Sequence, residues 1–152
     1  MKQISVLILL SLFAVSLVFA GKYDDLIKKS GDKKTFPGSN ALVIFDSTNV
    51  TMMESGLSHN YIHRLYKVLT PEGAKGLSVI KFDYDPLSAW SEIRGVTVYY
   101  ADGTKRVIDT ASVLDYPQPA RAIYWGAREK MIEVGRLEPG DAVEVYLYRK
   151  GF

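Results

Sequence analysis

The sequence predicts an all-β protein, an antiparallel β-sandwich or open barrel, with one short helix near the start of the mature chain. About seven or eight short apolar or alternating runs follow one another at near-regular spacing with turn residues between them, as in sandwiches and barrels. No amphipathic run of helical length separates these segments, which argues against parallel βαβ units. The pair Asp102-Gly103 lies between two β-rich runs, and such a pair is the strongest short-range signal for a hairpin.

Each element follows from its local pattern. Residues 23–29 (YDDLIKK) are predicted to form two helical turns, because aspartates at the start and lysines at the end complement the helix dipole. Residues 30–39 are polar and contain glycine and proline, which indicates a linker. Turns are predicted at residues 46–49 and 70–73 (TPEG), and a long surface loop at residues 114–126. The predicted strands are residues 41–45, 50–53, 61–69, 77–84, 93–100, 105–108, 131–134 and 142–148.

Residues 1–20 have the pattern of a secretory signal peptide. Lys2 supplies a positive start, residues 4–19 are apolar apart from three serines, and Val18-Phe19-Ala20 is an acceptable cleavage site. The alternative is an uncleaved membrane anchor, but a spanning helix needs about 20 apolar residues. We therefore expect an extracytoplasmic protein, periplasmic or secreted, with a helix and linker at residues 21–39 and a β-sandwich module at residues 40–152.

Composition excludes several classes of function. Lys plus Arg number 19 and Asp plus Glu number 17, so the net charge is only +2. A nucleic-acid-binding protein usually has a clustered basic face, and we expect no nucleic-acid partner. The sequence contains no cysteine, which excludes disulfides, thiol catalysis and cysteine-ligated zinc in this chain.

Pairs of metal-ligating side chains do not complete a site in the sequence. His59 and His63 have i, i+4 spacing, but this run is β-rich, and two residues four apart on a strand lie about 13 Å apart along it. Asp83 and Asp85 could offer oxygens to calcium, yet the residues after Pro86 add few further donors. No G-x-S-x-G elbow is present. We expect no metal, no cofactor and no catalytic residue.

Exposed aromatic residues are the best candidates for ligand contacts. Tyr124 and Trp125 are flanked by Arg121 and Arg128, an arrangement that could stack on a sugar or a peptide. Trp90, at the start of a predicted strand, is a second candidate. The alternative for both tryptophans is packing in the core or across strands, which aromatic side chains favour in sheets.

An ordered set of motifs resembles a known family. The set is HRLYKVLTPEG at residues 63–73, FDYD at 82–85, EIRGVTV at 92–98, ADGT at 101–104 and VGRLEPGDAVEV at 134–145. In this order the motifs resemble the domain-of-unknown-function family 3857, a module found ahead of transglutaminase-like domains in secreted bacterial proteins. The resemblance covers about residues 36–149.

This resemblance implies an accessory role. In the family, the module continues and is followed by a papain-like domain with a catalytic cysteine, so a chain that stops at Phe152 is expected to lack that domain and the last strands of the module. No catalytic residue can be carried over. The implied function is a non-catalytic interaction domain for a transglutaminase-like domain in the same or a neighbouring chain. A glycan- or peptide-binding module that uses exposed aromatics is the alternative, and an independent enzyme is the third hypothesis.

The last predicted strand, residues 142–148, raises the prospect of self-association. If the sheet of the relatives continues beyond this strand, ending the chain here leaves one side of it unpaired. An apolar edge that carries only Glu144 as a charge invites pairing with another chain. A covering strand from residues 50–53 is the alternative.

The leader pattern predicts cleavage after Ala20. Mass spectrometry of the exported protein should find Gly21 as the amino-terminal residue, because the apolar run is short and ends in a small-residue site. A membrane-retained product that still begins at Met1 would contradict this prediction.

Overall fold

The computed structural model describes residues 23–118 and 126–152, and residues 1–22 and 119–125 lie outside this part. The described residues form two antiparallel sheets with few helical residues, which confirms the predicted all-β sandwich. Within these two ranges, no helix combines the length and the apolar character needed to cross a bilayer.

The elements follow the order expected for a β-rich chain with one amino-terminal helix. Helix α1 precedes the strands, and its aspartates and lysines lie in the first and last turns as the sequence predicted. The elements are α1 (Asp24–Lys29), β1 (Ala41–Met52), β2 (Ser58–Val68), α2 (Pro71–Leu77), β3 (Val79–Tyr84), β4 (Ala89–Tyr99), β5 (Lys105–Ile108), a 3-10 turn (Thr110–Ser112), β6 (Leu114–Pro117), β7 (Arg128–Glu133) and β8 (Ala142–Gly151).

The larger sheet has five strands in the order β1-β2-β8-β4-β5, and the smaller has three in the order β3-β7-β6. The core lies between them, because the strands alternate apolar residues on their facing sides. Val143, Val145 and Leu147 of β8 are buried there with Ile132 of β7 and Ile93 of β4. The opposite face of the larger sheet, called the outer face below, is not covered by the smaller sheet.

Strand β8 corrects the expectation of an unpaired carboxyl-terminal edge. It pairs with β2 on one side, from Ala142 opposite Lys67 to Gly151 opposite Ser58. On its other side it pairs with β4, from Ala142 opposite Tyr99 to Gly151 opposite Ala89. Strand β8 is therefore a central strand, which explains its apolar character. The expected self-association assumed that one side of this strand is unpaired, and that assumption is wrong. The proposed covering strand at residues 50–53 does not pair with β8 either.

Three local predictions also need correction. Residues 46–49 are not a turn but the middle of β1, since they continue the ladder with β2 despite their polar side chains. Residues 71–77 form helix α2 and not a simple turn, with Thr70 as its amino-terminal cap through a bond from the Gly73 amide. Residues 114–117, expected in a loop, form β6, which pairs with β7.

Helix α1 covers one end of the outer face. Its buried Ile27 packs with Leu65, Tyr99 and Ala142. The Lys67 ammonium donates hydrogen bonds to the carbonyls of Ile27 at 2.8 Å and Gly31 at 2.7 Å. Burial lowers the pKa of this ammonium. A lysine from β2 therefore binds carbonyls at the carboxyl end of α1, where the helix leaves them without backbone donors.

A buried polar network lies beside this helix. The Glu144 side chain is buried and accepts hydrogen bonds from the Tyr99 hydroxyl at 2.8 Å and from His63 Nε2 at 2.8 Å. The His63 ring stacks on Tyr146 at 4.0 Å. Burial, together with the bond to Glu144, raises the pKa of Tyr99 well above its usual value. The network satisfies a carboxylate that burial would otherwise make costly.

Two glycines of α2 should respond in opposite directions to the same change. A Cβ on Gly73 would lie 1.9 Å from the Asn40 carbonyl oxygen, whereas a Cβ on Gly76 would meet nothing within 4 Å. We expect Gly73→Ala to lower the free energy of unfolding by about 1–3 kcal/mol, as overpacking does. Gly76→Ala should raise it by about 0.5–1 kcal/mol. Urea titration of both variants measures the two effects, and equal effects would contradict the close approach of α2 to Asn40.

Alkaline pH should weaken the network around Glu144. Because the folded-state pKa of Tyr99 is raised, the unfolded chain loses the tyrosine proton first, at about pH 10. The free energy of unfolding should therefore fall as the pH rises above about 10, and part of this fall should disappear in Tyr99→Phe. At neutral pH the same variant should lose about 1–3 kcal/mol, since Glu144 loses a donor. Denaturant titrations at neutral and alkaline pH test both effects, and an unchanged slope in the variant would contradict the assignment.

Candidate functional site

The uncovered end of the outer face carries a cluster of aromatic and charged side chains. Strand pairing places them together: Tyr61 of β2 lies opposite Tyr148 of β8, and Tyr148 lies opposite Glu92 of β4. Residues directly opposite in antiparallel strands point to the same face. We call the surface formed by Tyr61, Trp90, Arg94 and Tyr148 the aromatic–arginine surface.

Arg94 organises this surface by lying over two rings. Its guanidinium carbon is 3.7 Å from the centre of the Tyr148 ring and 5.5 Å from that of Tyr61. The Trp90 and Tyr148 rings meet edge to face at 6.0 Å, and the Tyr61 and Tyr148 rings lie 5.1 Å apart. Such cation–π and edge contacts each contribute on the order of 0.5–2 kcal/mol. The rings are therefore held in place before any ligand arrives.

Hydrogen bonds fix the two central members of the surface. The Arg94 Nε donates to Glu92 Oε2 at 2.8 Å, and His59 Nδ1 is 2.7 Å from the Tyr148 hydroxyl oxygen. A β-bulge between Ile93 and Gly95 inserts Arg94 into β4. Arg94 continues the outward alternation of Trp90 and Glu92, and the bulge shifts the alternation of the residues that follow it.

Exposure separates the supporting residues from those available to a ligand. Tyr148 is only 6% exposed and supports the others, whereas Trp90 is 47% exposed. Trp90 and Tyr148 also line an open groove of about 590 Å³ with Leu87, Lys150 and Phe152. The side chains of Leu87 and Phe152 are largely exposed. The groove thus offers apolar area beside cationic groups, a combination suited to an interaction with protein, peptide or sugar.

The predicted site residues have different outcomes. Trp90 lies on the outer face and is half exposed, as a ligand contact requires. Arg128 begins β7 in the smaller sheet, where its Nε donates to Asp115 Oδ1 at 2.8 Å. Arg121, Tyr124 and Trp125 lie outside the described residues.

The guanidinium group of Arg128 is bound by a neighbouring residue of the protein, Asp115, and needs no ligand as a partner. Burial by itself would raise the pKa of the Asp115 carboxyl, but hydrogen bonds from Tyr84, Lys130 and Arg128 outweigh it and lower that pKa. The Tyr84 hydroxyl donates at 2.7 Å and Lys130 Nζ at 3.0 Å. This cluster ties β3, β6 and β7 together within the smaller sheet.

The histidine and aspartate pairs occupy structural positions. His59 and His63 both lie on β2, which begins earlier than the predicted strand, and they contact the separate partners Tyr148 and Glu144. Asp85 accepts a hydrogen bond from the Leu87 amide at 2.9 Å, which stabilises the turn between β3 and β4. In residues 23–118 and 126–152, no group of three or more histidine or acidic side chains could hold a metal ion.

Sequence reasoning missed most of the aromatic–arginine surface. Tyr61, Arg94 and Tyr148 were not among the predicted contacts, although Tyr146 and Tyr148 alternate with the apolar residues of β8. That alternation places both tyrosines on the polar face, a signal that could have identified them. Arg94 alternates in the same way with Trp90 and Glu92, but the strand pairing that brings it over the Tyr148 ring is not visible in the sequence.

Comparisons with solved structures reveal fold likeness at low sequence identity. A crystal structure from Parabacteroides distasonis ATCC 8503, described as a "putative protease", matches with a TM-score of 0.61 and 16% identity over 74% of this chain. The match covers 23% of that chain, so this protein spans less than a quarter of its structural neighbour. At this identity the likeness concerns the fold alone.

Two further matches are weaker. They are structures of family 3a carbohydrate-binding modules from the CipA scaffoldin of Clostridium thermocellum, with TM-scores of 0.40 and 0.39 and identities of 14% and 13%. Each match covers 74% of this chain, and the two matches cover 68% and 76% of the respective modules. At these TM-scores we draw no conclusion about fold or function from the likeness.

The sequence itself identifies the family. No curated protein matches this chain. The family described as "Domain of Unknown Function with solved-structure structure" (DUF3857) matches residues 54–151. The matched segment runs from the turn before β2 to the end of β8 and makes up most of the chain. This protein therefore belongs to the DUF3857 family.

Proposed function

We propose that this protein is a non-catalytic accessory module of an exported protein and that it docks a transglutaminase-like domain at the aromatic–arginine surface and its groove. The observation that carries the proposal is the position of this surface. Strand β8 ends beside the groove, and Phe152 lines it. A domain that follows in the same chain, or docks from a neighbouring one, would meet the groove first.

The absence of cysteine supports the non-catalytic part of the proposal. The sequence contains none, so the thiol chemistry of a transglutaminase-like enzyme would have to come from another domain. The structural neighbour described as a "putative protease" is also a much longer chain than this module. An accessory module beside a peptidase-like domain is consistent with both observations.

The chemistry of the groove supports a protein partner. Exposed Leu87, Trp90 and Phe152 supply apolar area, while Arg94 and Lys150 supply positive charge at its margin. Interface centres are enriched in tryptophan, tyrosine and arginine, and their rims are polar. The signal-peptide pattern of residues 1–20 supports export to an extracytoplasmic compartment.

Glycan or peptide binding is the second candidate function. Half-exposed Trp90 and exposed Tyr61 beside Arg94 could stack on a sugar ring or clamp an aromatic peptide side chain. The pair Tyr124-Trp125, with Arg121, is a further candidate contact for such a ligand. The docking function requires binding of a protein domain, whereas the second function requires binding of a glycan or a peptide.

The test is a binding titration with two kinds of probe. The first is the transglutaminase-like domain encoded next to or downstream of this chain, and the second is a panel of soluble bacterial glycans and peptides. We expect the domain to bind and Trp90→Ala to weaken binding by at least about tenfold, since truncating a central tryptophan costs about 2 kcal/mol or more. Arg94→Ala should weaken it as well, because Tyr61 and Tyr148 lose the guanidinium that holds them.

Matched controls separate binding from folding. Tyr116→Ala removes an equally exposed aromatic ring from β6 of the smaller sheet and should leave the affinity unchanged. Thermal melts should shift little for Trp90→Ala because its side chain is half exposed. Binding of a glycan or peptide that Trp90→Ala or Trp125→Ala abolishes would favour the second function. If neither probe binds, or if Tyr116→Ala weakens binding as much, the docking proposal is wrong.

A further inference from the structure

We propose that strand β1 is a self-association edge, along which two copies of this protein pair antiparallel to form one continuous sheet. The proposal is independent of the aromatic–arginine surface. It rests on the hydrogen-bonding edge of β1 that points away from β2, along which no strand of the described residues is paired.

The four edge strands of the two sheets differ in their protection. An exposed edge is normally shielded by shortness, charged residues, proline or bulges. Strand β5 has four residues, including Lys105 and Arg106. Strand β3 carries Lys81 and Asp83, and β6 is short and ends in Pro117. Each of these three edges therefore has at least one protective feature.

Strand β1 lacks these features over most of its length. It has 12 residues, and from residue 46 to its end every side chain is exposed. Its only charged residue is Asp46, which Arg64 already binds at 2.9 Å. Residues 47–53 (STNVTMM) carry no charge and no proline, and the bulge in this strand lies earlier, between Val43 and Phe45. The second half of β1 is thus a long, regular and neutral edge.

Apolar side chains on this edge add surface for an association. Thr48 of β1 is opposite Ile62 of β2, which packs against the core, so Thr48, Val50 and Met52 share the core-side face. The smaller sheet does not cover them, since Val50 is 54% and Met52 is 66% exposed. A second sheet edge placed alongside would bring further apolar area to these residues.

The lack of charge on this edge fits a second copy as the occupant, because a two-fold axis sets the edge against itself and an unpaired charge near the axis would meet its like. Two copies related by a two-fold axis must pair residues of the same face. A register centred on Asn49 sets Ser47 opposite Thr51, Thr48 opposite Val50 and Phe45 opposite Met53, and no like charges meet. A register centred on Val50 would instead set Asp46 opposite Glu54, and like charges in that position are destabilising. Registers centred on Thr48 or Thr51 also avoid like charges, but they pair a shorter part of the regular edge. We assign the register centred on Asn49, because it pairs the whole run from Phe45, just after the bulge, to Met53.

Because the sequence contains no cysteine, a single introduced cysteine is the only thiol that a cross-linker can modify. The purified chain carrying Asn49→Cys is treated with a short bis-maleimide cross-linker at high protein concentration. We expect a covalent dimer, because residue 49 meets its own counterpart on the two-fold axis. Val107→Cys, exposed on the short and charged edge β5, is the matched control and should remain largely monomeric.

A charge substitution provides the second measurement. Light scattering should give the wild-type chain a mass twice that of the monomer at high micromolar concentration. Val50→Lys should restore the monomer mass and Val107→Lys should not, while thermal melts verify that both variants remain folded. A wild-type monomer at every concentration, or equal cross-linking at positions 49 and 107, would overturn the proposal. Either result would mean that another segment or another protein covers β1.

Discussion

The double pairing of β8 is the constraint on which the rest of the structure depends. This strand lies between β2 and β4 along its whole length, so its two faces define the two sides of the larger sheet. Val143, Val145 and Leu147 supply the centre of the core. Glu144, Tyr146 and Tyr148 supply the buried network and the support for the exposed rings. A one-residue slip of β8 would exchange these sets and remove both the core and the candidate surface.

The outer face divides into two ends with different roles. At one end, α1 and the polar network around Glu144 close the sheet, and the groups there contact one another. At the other end, Arg94 holds the rings of Tyr61 and Tyr148 beside a half-exposed Trp90. The closed end therefore contributes to stability, while the open end keeps its apolar and cationic groups available. This division explains why the tyrosines of a single strand, Tyr146 and Tyr148, contribute to different parts of the molecule.

Regular features could be predicted from the sequence, and features that depend on partners could not. The all-β class, helix α1 and the hairpin at Asp102-Gly103 follow from local periodicity and turn chemistry. The central position of β8 does not, because an alternating strand reads the same at an edge and in the middle of a sheet. Residues 46–49 look like a turn by composition, yet pairing with β2 keeps them in β1. The contact between Arg94 and the Tyr148 ring could not be predicted either, because it depends on the pairing of β4 with β8.

The bulge in β4 also limits how the length of this strand can vary during evolution. Before the bulge, the even-numbered Trp90 and Glu92 point to the outer face; after it, the odd-numbered Thr97 and Tyr99 do so. Loss of Arg94 would leave Ile93 and Gly95 opposite consecutive residues of β8 and preserve both halves. Insertion or loss of one residue elsewhere in β4 would move the side chains of one half of the strand to the opposite faces of the sheet. Length variants of this strand among natural relatives are therefore expected to concentrate at the position of Arg94.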